Sequence, residues 1–427
     1  MPNVTNDSSS IMRRMAVGLG GLAGTLVLLA AAAYVFTSLR PALGARAVDM
    51  ARGLLGDKIV SQVENSVLRL EDKAKQLEYR LAKPRAAAPW QAGPPASVPP
   101  AVTASATNAA EAAAPTRLPA DVIYPGASPS ATPANLSSTP ATPSPRPAAW
   151  RMEDVPPLGT APEEGRWTAY LRDATGVVVA YRTFLQPDPE RPYASVAVVA
   201  FDLQATRLHF VPGYTEPVSA VFISRPARIP AGDLLPGKIL AAFNGGFKAE
   251  HGHFGVMVAG VILIPPRDGF GTVAIDADGK VALGAWGKDI SASPGQAAWR
   301  QNGPLIIQEG QINPHTAVTD PKDWGYTTDG GTATGRSALG ISPDGRVLYY
   351  AAGFDLTLPA LSRAVQEAGA WQAIQLDINN FYAHFEAFSM GSEGKLAAVP
   401  LLDQMKGPGD QRYLTINSRD FFYVTTK

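Results

Sequence analysis

Cysteine is absent from the 427-residue chain. That excludes disulfide staples, thiolate zinc sites and a cysteine nucleophile, and it leaves the compartment open. Charge of one sign is also missing, since 37 Lys plus Arg balance 37 Asp plus Glu. Without a basic footprint there is no electrostatic reason to expect a nucleic-acid partner. Proline and glycine are not scarce, with 38 and 40 residues. They are unevenly spread, so part of the chain reads as spacer and part as a body with room for a sizeable core.

Charge is missing locally over Met15–Leu39, between Arg13-Arg14 and Arg40. About 20 apolar residues span a bilayer as a helix, so the run predicts a transmembrane anchor over 15–39 behind a cytoplasmic tail, 1–14. A cleaved signal peptide ending near Ala31-Ala32-Ala33 and a buried helix are the alternatives. Residues 40–83 predict a helical stalk. Val60, Val63, Val67, Leu70, Ala74, Leu77 and Leu81 recur at three- and four-residue steps, as in a heptad seam. Either two or three chains pair along it, giving a homo-oligomer, or one amphipathic helix lies on the membrane or on the body. Pro84 ends the helix. Residues 84–149 are Pro-, Ala-, Ser- and Thr-rich, have little to bury, and read as a disordered linker.

Composition changes at Trp150, and 150–427 reads as the folded body. Short Val- and aromatic-rich runs predict strands. VAIDADGKVALG and LGISPDGRVLYYAAG each read as strand, Asp-Gly turn, strand. Asp276-Ala277-Asp278-Gly279 resembles half a calcium loop but lacks the later ligands and the closing glutamate. One helix is well marked: Thr357 as its cap, LPALSRAVQEA with an apolar face, and Gly369 at its end. The strand AWQAIQL follows and ends on Asp377. Strands and helix together predict an α/β (α+β) body with a mixed sheet.

Four places concentrate chemistry. In AAFNGGFKAEHGHFG, Asn244 ends a strand and Gly245-Gly246 permit a tight turn and backbone approach to a ligand. His251 and His253 would share one face of an extended segment, which makes them candidate ligands for a divalent metal, with Asp377 or His384 completing the set. Alternatively they are structural or contact sugar. In WRQNGPLIIQEGQ, Asn302 either meets a substrate hydroxyl or satisfies its own turn. Arg336, just before an apolar strand, needs an anionic partner, either a ligand phosphate or a structural Asp. Asp377 ends a buried strand, where an unpaired carboxylate is costly.

These pieces resemble the phosphodiester glycosidase family in order and spacing over roughly Lys238–Phe388. The matching pieces are Asn244-Gly245-Gly246-Phe247, Asn302-Gly303-Pro304-Leu305 with Glu309-Gly310, Arg336-Ser337-Ala338-Leu339-Gly340, and the helix leading to Leu376-Asp377. The resemblance implies cleavage of a sugar–phosphate glycosidic bond in a phosphorylated glycan or cell-envelope polymer, outside the cytoplasm. It implies no defined cofactor. Carried over, Asn244, Arg336 and Asp377 line the pocket, with Arg336 on the phosphoryl group and Asp377 as base or oxocarbenium stabiliser. Gly245, Gly246, Asn302, Asn379, His384 and Glu386 would contact substrate, His384 or Glu386 as partner acid. Where the family commonly continues Leu-Asp with glycines and a serine, this chain has Ile378-Asn379-Asn380-Phe381. Together with the anchor, the resemblance predicts a single-pass cell-membrane protein whose body faces outside. The second reading is a non-catalytic tethered module that binds an envelope polymer or a partner protein.

Overall fold

Hydrophobic pairs facing two ways along the same strands organise the body. The computed structural model describes residues 56–82, 88–90, 150–317, 324, 330–390, 395–406 and 411–427. The largest sheet has eight strands in the order β1 (Thr168–Arg172), β2 (Val178–Leu185), β3 (Val196–Asp202), β14 (Val347–Leu356), β13 (Thr334–Ile341), β15 (Gln372–Gln375), β11 (Leu305–Gln308) and β12 (Gln311–Ile312). A second sheet runs β7 (Val261–Ile264), β6 (Val256–Val258), β10 (Gln296–Gln301), β8 (Gly271–Asp276) and β9 (Val281–Ala285). The third runs β17 (Leu396–Pro400), β16 (Phe385–Met390), β5 (Ile239–Asn244), β18 (Phe421–Thr426) and β4 (Thr206–Val211). Neighbouring strands pair antiparallel in all three.

Alternation along β13 and β14 sends Leu339, Leu348 and Tyr350 into a core shared with Phe243, Phe385 and Phe422 of the third sheet. The intervening Ala338, Tyr349 and Ala351 pack under a helix. Successive strand residues point to opposite faces, and this sheet is covered on both, so β3, β13 and β15 are buried along their whole length. Both expected hairpins form: β8 pairs β9 and β13 pairs β14 around Gly279 and Gly345, each at positive φ. The predicted helix is α2 (Leu358–Glu367); the Thr357 side chain accepts from the Ala360 N–H, and Gly369 takes φ 100°.

Two expectations about the N-terminal part need correction. The membrane anchor predicted at Met15–Leu39 lies outside the described residues, and among the described residues no helix is long and apolar enough to cross a membrane. The helix that has the length, α1 (Asp57–Ala82), is charged along its whole course. The single-pass topology, the outward-facing localisation and the membrane as a partner thus find no spanning helix among the described residues and are not carried further. The coiled-coil stalk, and with it the homo-oligomer, is withdrawn for a different reason: α1 lies on the body, held by polar contacts. Arg191 grips Asp72 with two donors, Nε at 2.7 Å and Nη2 at 2.6 Å. Lys75 Nζ reaches Asp355 at 2.8 Å, and the Tyr79 ring lies 5.6 Å from Tyr193. Leu70, Leu77 and Leu81 of the supposed seam stay exposed. Trp90, within the predicted linker, also docks: the Arg182 guanidinium lies 4.3 Å over its ring and Phe184 meets it edge-on. Apart from 88–90, residues 84–149 lie outside the described residues.

Asp72→Ala tests this docking. The Asp72–Arg191 pair is largely shielded from water, and Arg191 keeps Asp188 at 2.9 Å. A charge-assisted hydrogen bond lost at such a place costs about 1–3 kcal/mol. Hydrogen exchange should quicken across α1 and stay unchanged in β13–β15. Unchanged exchange in α1 would mean that the helix is held otherwise.

Candidate functional site

The ends of β5, β10, β13 and β15 meet at one pole of the body, with the short approach to β18 beside them. Asn244 closes β5. Its Nδ2 donates to Ser337 Oγ at 2.9 Å, and its Oδ1 accepts from the Tyr350 hydroxyl at 3.0 Å and from the His384 N–H at 3.2 Å. Ser337 Oγ in turn donates to the Asp377 carbonyl at 2.9 Å. Asn244 and Asp377 are thus joined through one hydroxyl.

Gly245 and Gly246 serve a close approach of side chains. A Cβ on Gly245 would fall 2.3 Å from Asp420 Oδ1, and one on Gly246 would fall 2.8 Å from the Arg300 Cζ. Those two residues are an ion pair, Nε to Oδ2 at 2.6 Å, nearly sealed from solvent. Gly245→Ala must push Asp420 aside, and overpacking of this kind costs about 1–3 kcal/mol. The loss would be read as a lower denaturant midpoint; an unchanged midpoint would show that the loop yields. Asn302 is buried and is spent on cross-linking. Its Oδ1 accepts from the Phe247 N–H at 3.0 Å, while its Nδ2 donates to the Gln375 carbonyl.

Asp377 sits at the floor of this pole. Its Oδ1 accepts from its neighbour's N–H, Ile378, at 2.9 Å, and its Oδ2 is held by Arg419 Nη2. Burial pushes the Asp377 carboxyl up to about 6, the Arg419 guanidinium opposing the rise. Arg419 stays charged; its Cζ lies 4.5 Å over the Tyr382 ring, and Nη2 also donates to the Gly246 carbonyl at 3.1 Å. Its Nε is buried with no hydrogen-bond partner among the described residues. Ile378, where the family commonly has glycine, packs with Phe247 and Phe254. Its side chain thus adds to an apolar wall next to the carboxylate.

Arg336 corrects a prediction. It lies inside β13, two residues after the strand begins, so alternation turns it to the side opposite Ser337, toward α2. There it is fully buried and donates to the Leu356 carbonyl at 2.9 Å, Gln375 Oε1 at 2.7 Å and the Thr332 carbonyl at 2.9 Å. These contacts spend its guanidinium on structural acceptors. Asn379 takes φ 90° and accepts from the N–H groups of Phe381 and Tyr382, building the rim turn. His384 Nε2 and Glu386 Oε1 are 3.0 Å apart and buried, and the same oxygen accepts from the N–H groups of Gln411 and Arg412. This pair braces the 411–412 turn. His251 and His253 do not share a face: His251 ends a 3-10 turn, and His253 is exposed at φ 48°. Among the described residues no three His, Asp or Glu side chains converge as metal ligands. A shallow polar cavity of about 270 Å³ lies at the other end of β13, by the Asp278-Gly279 and Asp344-Gly345 turns, and contains none of these residues.

The frame from Gly237 to Asp377 now has both its glycine turn and its strand-end acid in one place. Residues 237–377 match the phosphodiester glycosidase family. The resemblance to that family brings with it a general hydrolytic role. Arg300 and Asn302 belong to the matched range, whereas Arg419, Asp420 and Tyr382 lie beyond it. Among solved structures, the chain is similar to the catalytic domain of zebrafish N-acetylglucosamine-1-phosphodiester alpha-N-acetylglucosaminidase, auto-inhibited by its pro-peptide. Identity is 13%, covering 65% of this chain and 97% of that one, with a TM-score of 0.37. A hypothetical protein from Synechocystis aligns at 12% identity over 55% of this chain and 59% of its own, TM-score 0.30. A putative exported protein from Burkholderia pseudomallei aligns at 11% over 54% and 74%, TM-score 0.26. No curated protein matches.

Sequence reasoning missed Arg419, Asp420 and Arg300. The signal was available for the first two. Ser418-Arg419-Asp420 sets a charged doublet directly before the apolar run Phe421–Val424, the same argument that singled out Asp377.

Proposed function

We propose that the chain hydrolyses a phosphodiester in which a sugar's anomeric carbon is linked through oxygen to phosphorus, with Asp377 and Arg419 as the reacting pair. The observation that carries this reading is the buried Asp377–Arg419 pair at the strand ends, Asp377 closing the family-matched range, with one Arg419 donor unspent. Arg419 takes the phosphoryl-holding role that the family resemblance implied for Arg336. Its Nε–H is the donor left for a phosphoryl oxygen, and a guanidinium assists most where negative charge grows. Water attacks the anomeric carbon, the carbon–oxygen bond breaks, and its electron pair leaves on the phosphomonoester oxygen. The proton lost by water goes to Asp377, whose raised affinity for protons suits a base working near neutrality. A phosphomonoester leaves readily, since its second pKa is near 6. The His384–Glu386 pair can therefore stay structural.

The full chain incubated with a panel of sugar-1-phosphodiesters should release reducing sugar and phosphomonoester in equal amounts. In ¹⁸O-water the label should enter the sugar. Label in the phosphate would mean that phosphorus is attacked instead. A folded protein inert toward the whole panel would end the hydrolase reading.

A further inference from the structure

The Arg419 guanidinium is tied at one corner. Among the described residues both of its hydrogen bonds leave from Nη2, one to Asp377 Oδ2 and one to the Gly246 carbonyl at 3.1 Å, while Nε has no partner. Arg300 is fixed through all three nitrogens. A rigid planar fork held at one corner can swing about it, whereas one held at three cannot. A further contact comes from Tyr382, whose ring centroid lies 4.5 Å from the Arg419 Cζ. An aromatic face attracts a guanidinium laid over it and leaves the N–H edge free for an anion.

Tyr382 is aimed by a turn built where the family commonly has glycines. Asn379 takes φ 90°, and its Oδ1 accepts from the N–H groups of Phe381 and Tyr382 at 2.8 and 2.9 Å. The Asn379 N–H donates to the Gly335 carbonyl, and Asn380 Oδ1 accepts from the Gly335 N–H, both at 2.8 Å, so the turn is fastened to β13. Phe381 meets Tyr382 edge-on at 5.1 Å. The Arg412 Cζ lies 4.6 Å over the Phe381 ring, and its Nη1 donates to the Phe381 carbonyl at 2.9 Å. The Arg412 N–H is in turn held by Glu386, beside His384.

From this geometry we infer that Tyr382 is a positioning residue for the reaction: its ring fixes the plane of the Arg419 guanidinium, so that Nη2 stays on Asp377 while the Nε–H edge is kept for the phosphoryl group. The Asn379 turn aims the ring, and the Phe381–Arg412 stack backs it. The Ile378-Asn379-Asn380 departure from the family pattern thereby gains a task, since glycines there would offer no side-chain acceptor to hold the turn. The inference rests on the reading of Asp377 and Arg419 as the reacting pair and deepens it.

The test reads Asp377 in the full chain without substrate. The charged groups acting on that carboxyl are Arg419, Asp420 and Arg300; those acting on Arg419 are Asp377, Tyr382, Asp420 and Glu216. Arg419 opposes the rise of the Asp377 carboxyl, so a guanidinium that swings away lets it titrate above about 6. A carboxyl ¹³C titration, assigned against Asp377→Asn, measures this. Tyr382→Leu should raise the titration, and Tyr382→Phe, which keeps the ring face, should not. With a methyl sugar-1-phosphodiester and Asp377 ionised, kcat/KM should fall about five- to thirtyfold in Tyr382→Leu, the worth of a desolvated cation–π contact, and hold in Tyr382→Phe. The titration pattern in a protein that cleaves no diester supports the positioning role, and only the hydrolase reading falls. An Asp377 titration unmoved by Tyr382→Leu overturns the role even if kcat/KM drops, since the ring would then serve the sugar directly. Equal effects of the Leu and Phe variants overturn it in favour of the hydroxyl. Should Tyr382→Leu not fold, Asn379→Gly decides, because it keeps the positive φ and removes the acceptor that aims the ring: a raised titration supports the role and an unmoved one overturns it.

Discussion

Asp377→Asn is expected to lower turnover of a sugar-1-phosphodiester by about 10²–10⁴-fold, the usual contribution of a positioned general base, with the fold intact. The amide keeps the shape of the carboxyl, and its oxygen can still accept from Arg419 or from the Ile378 N–H. It cannot take a proton from water. The pH profile is a second handle. Burial raises the Asp377 carboxyl to about 6. The base is ionised above that value, so kcat/KM should fall tenfold per unit below about pH 6. Stability moves in the opposite sense. A carboxyl whose folded pKa lies above its unfolded value of 3.8 contributes stability that is fully present below pH 3.8 and is lost as pH rises through about 6. The shift is worth about 3 kcal/mol. Denaturant midpoints of the wild type should therefore gain from this group on acidification between pH 6 and 4, and those of Asp377→Asn should not. An acid limb near pH 4, or a variant that keeps wild-type turnover, would remove Asp377 from the chemistry.

What the sequence made legible was local. Asp-Gly turns need one positive φ and announce it, so the β8–β9 and β13–β14 hairpins could be read directly. Thr357 and Gly369 bracket α2 for equally local reasons. Asp377 was recoverable because a carboxylate after Ile374-Gln375-Leu376 has few cheap places to go. What stayed hidden depended on contacts between distant parts of the chain. Arg336 was placed at a strand mouth because its strand was read as starting after it. With β13 starting at Thr334, a single step of alternation moved it to the α2 side. Arg419 lies 42 residues beyond Asp377, and the two meet only because β18 inserts between β4 and β5. The heptad spacing of α1 was real, but its partner was the polar rim at Arg191 and Asp355. Periodicity describes a helix's faces and leaves open which face docks.

The largest stability loss is expected from Arg300→Met. All three kinds of donor on this guanidinium are used: Nε to Asp420 Oδ2, Nη1 to the Gln301 carbonyl and Nη2 to the Phe247 carbonyl, each at 2.6 Å. Asp420 is as buried as its partner, and its Oδ1 already has no hydrogen-bond partner among the described residues. Taking away the cation leaves a carboxylate sealed from water with nothing to balance it, which costs about 3–5 kcal/mol. Asp420→Asn made in the Arg300→Met background should recover part of that, because it removes the stranded charge. The recovery is what separates an electrostatic loss from a packing defect, and a double-mutant cycle in urea measures it. The same change should reach the chemistry by a short path. The Asp420 carbonyl holds the Gly245 N–H at 3.1 Å, and Arg419, one residue earlier, holds Asp377 and the Gly246 carbonyl. With Arg300 gone, the glycine turn loses its clamp at Phe247, and Arg419 loses the fixed neighbour that sets its angle to Asp377. If Arg300→Met costs less than about 1 kcal/mol, the pair is not the keystone of the turn, and Gly246 must be required for some other contact.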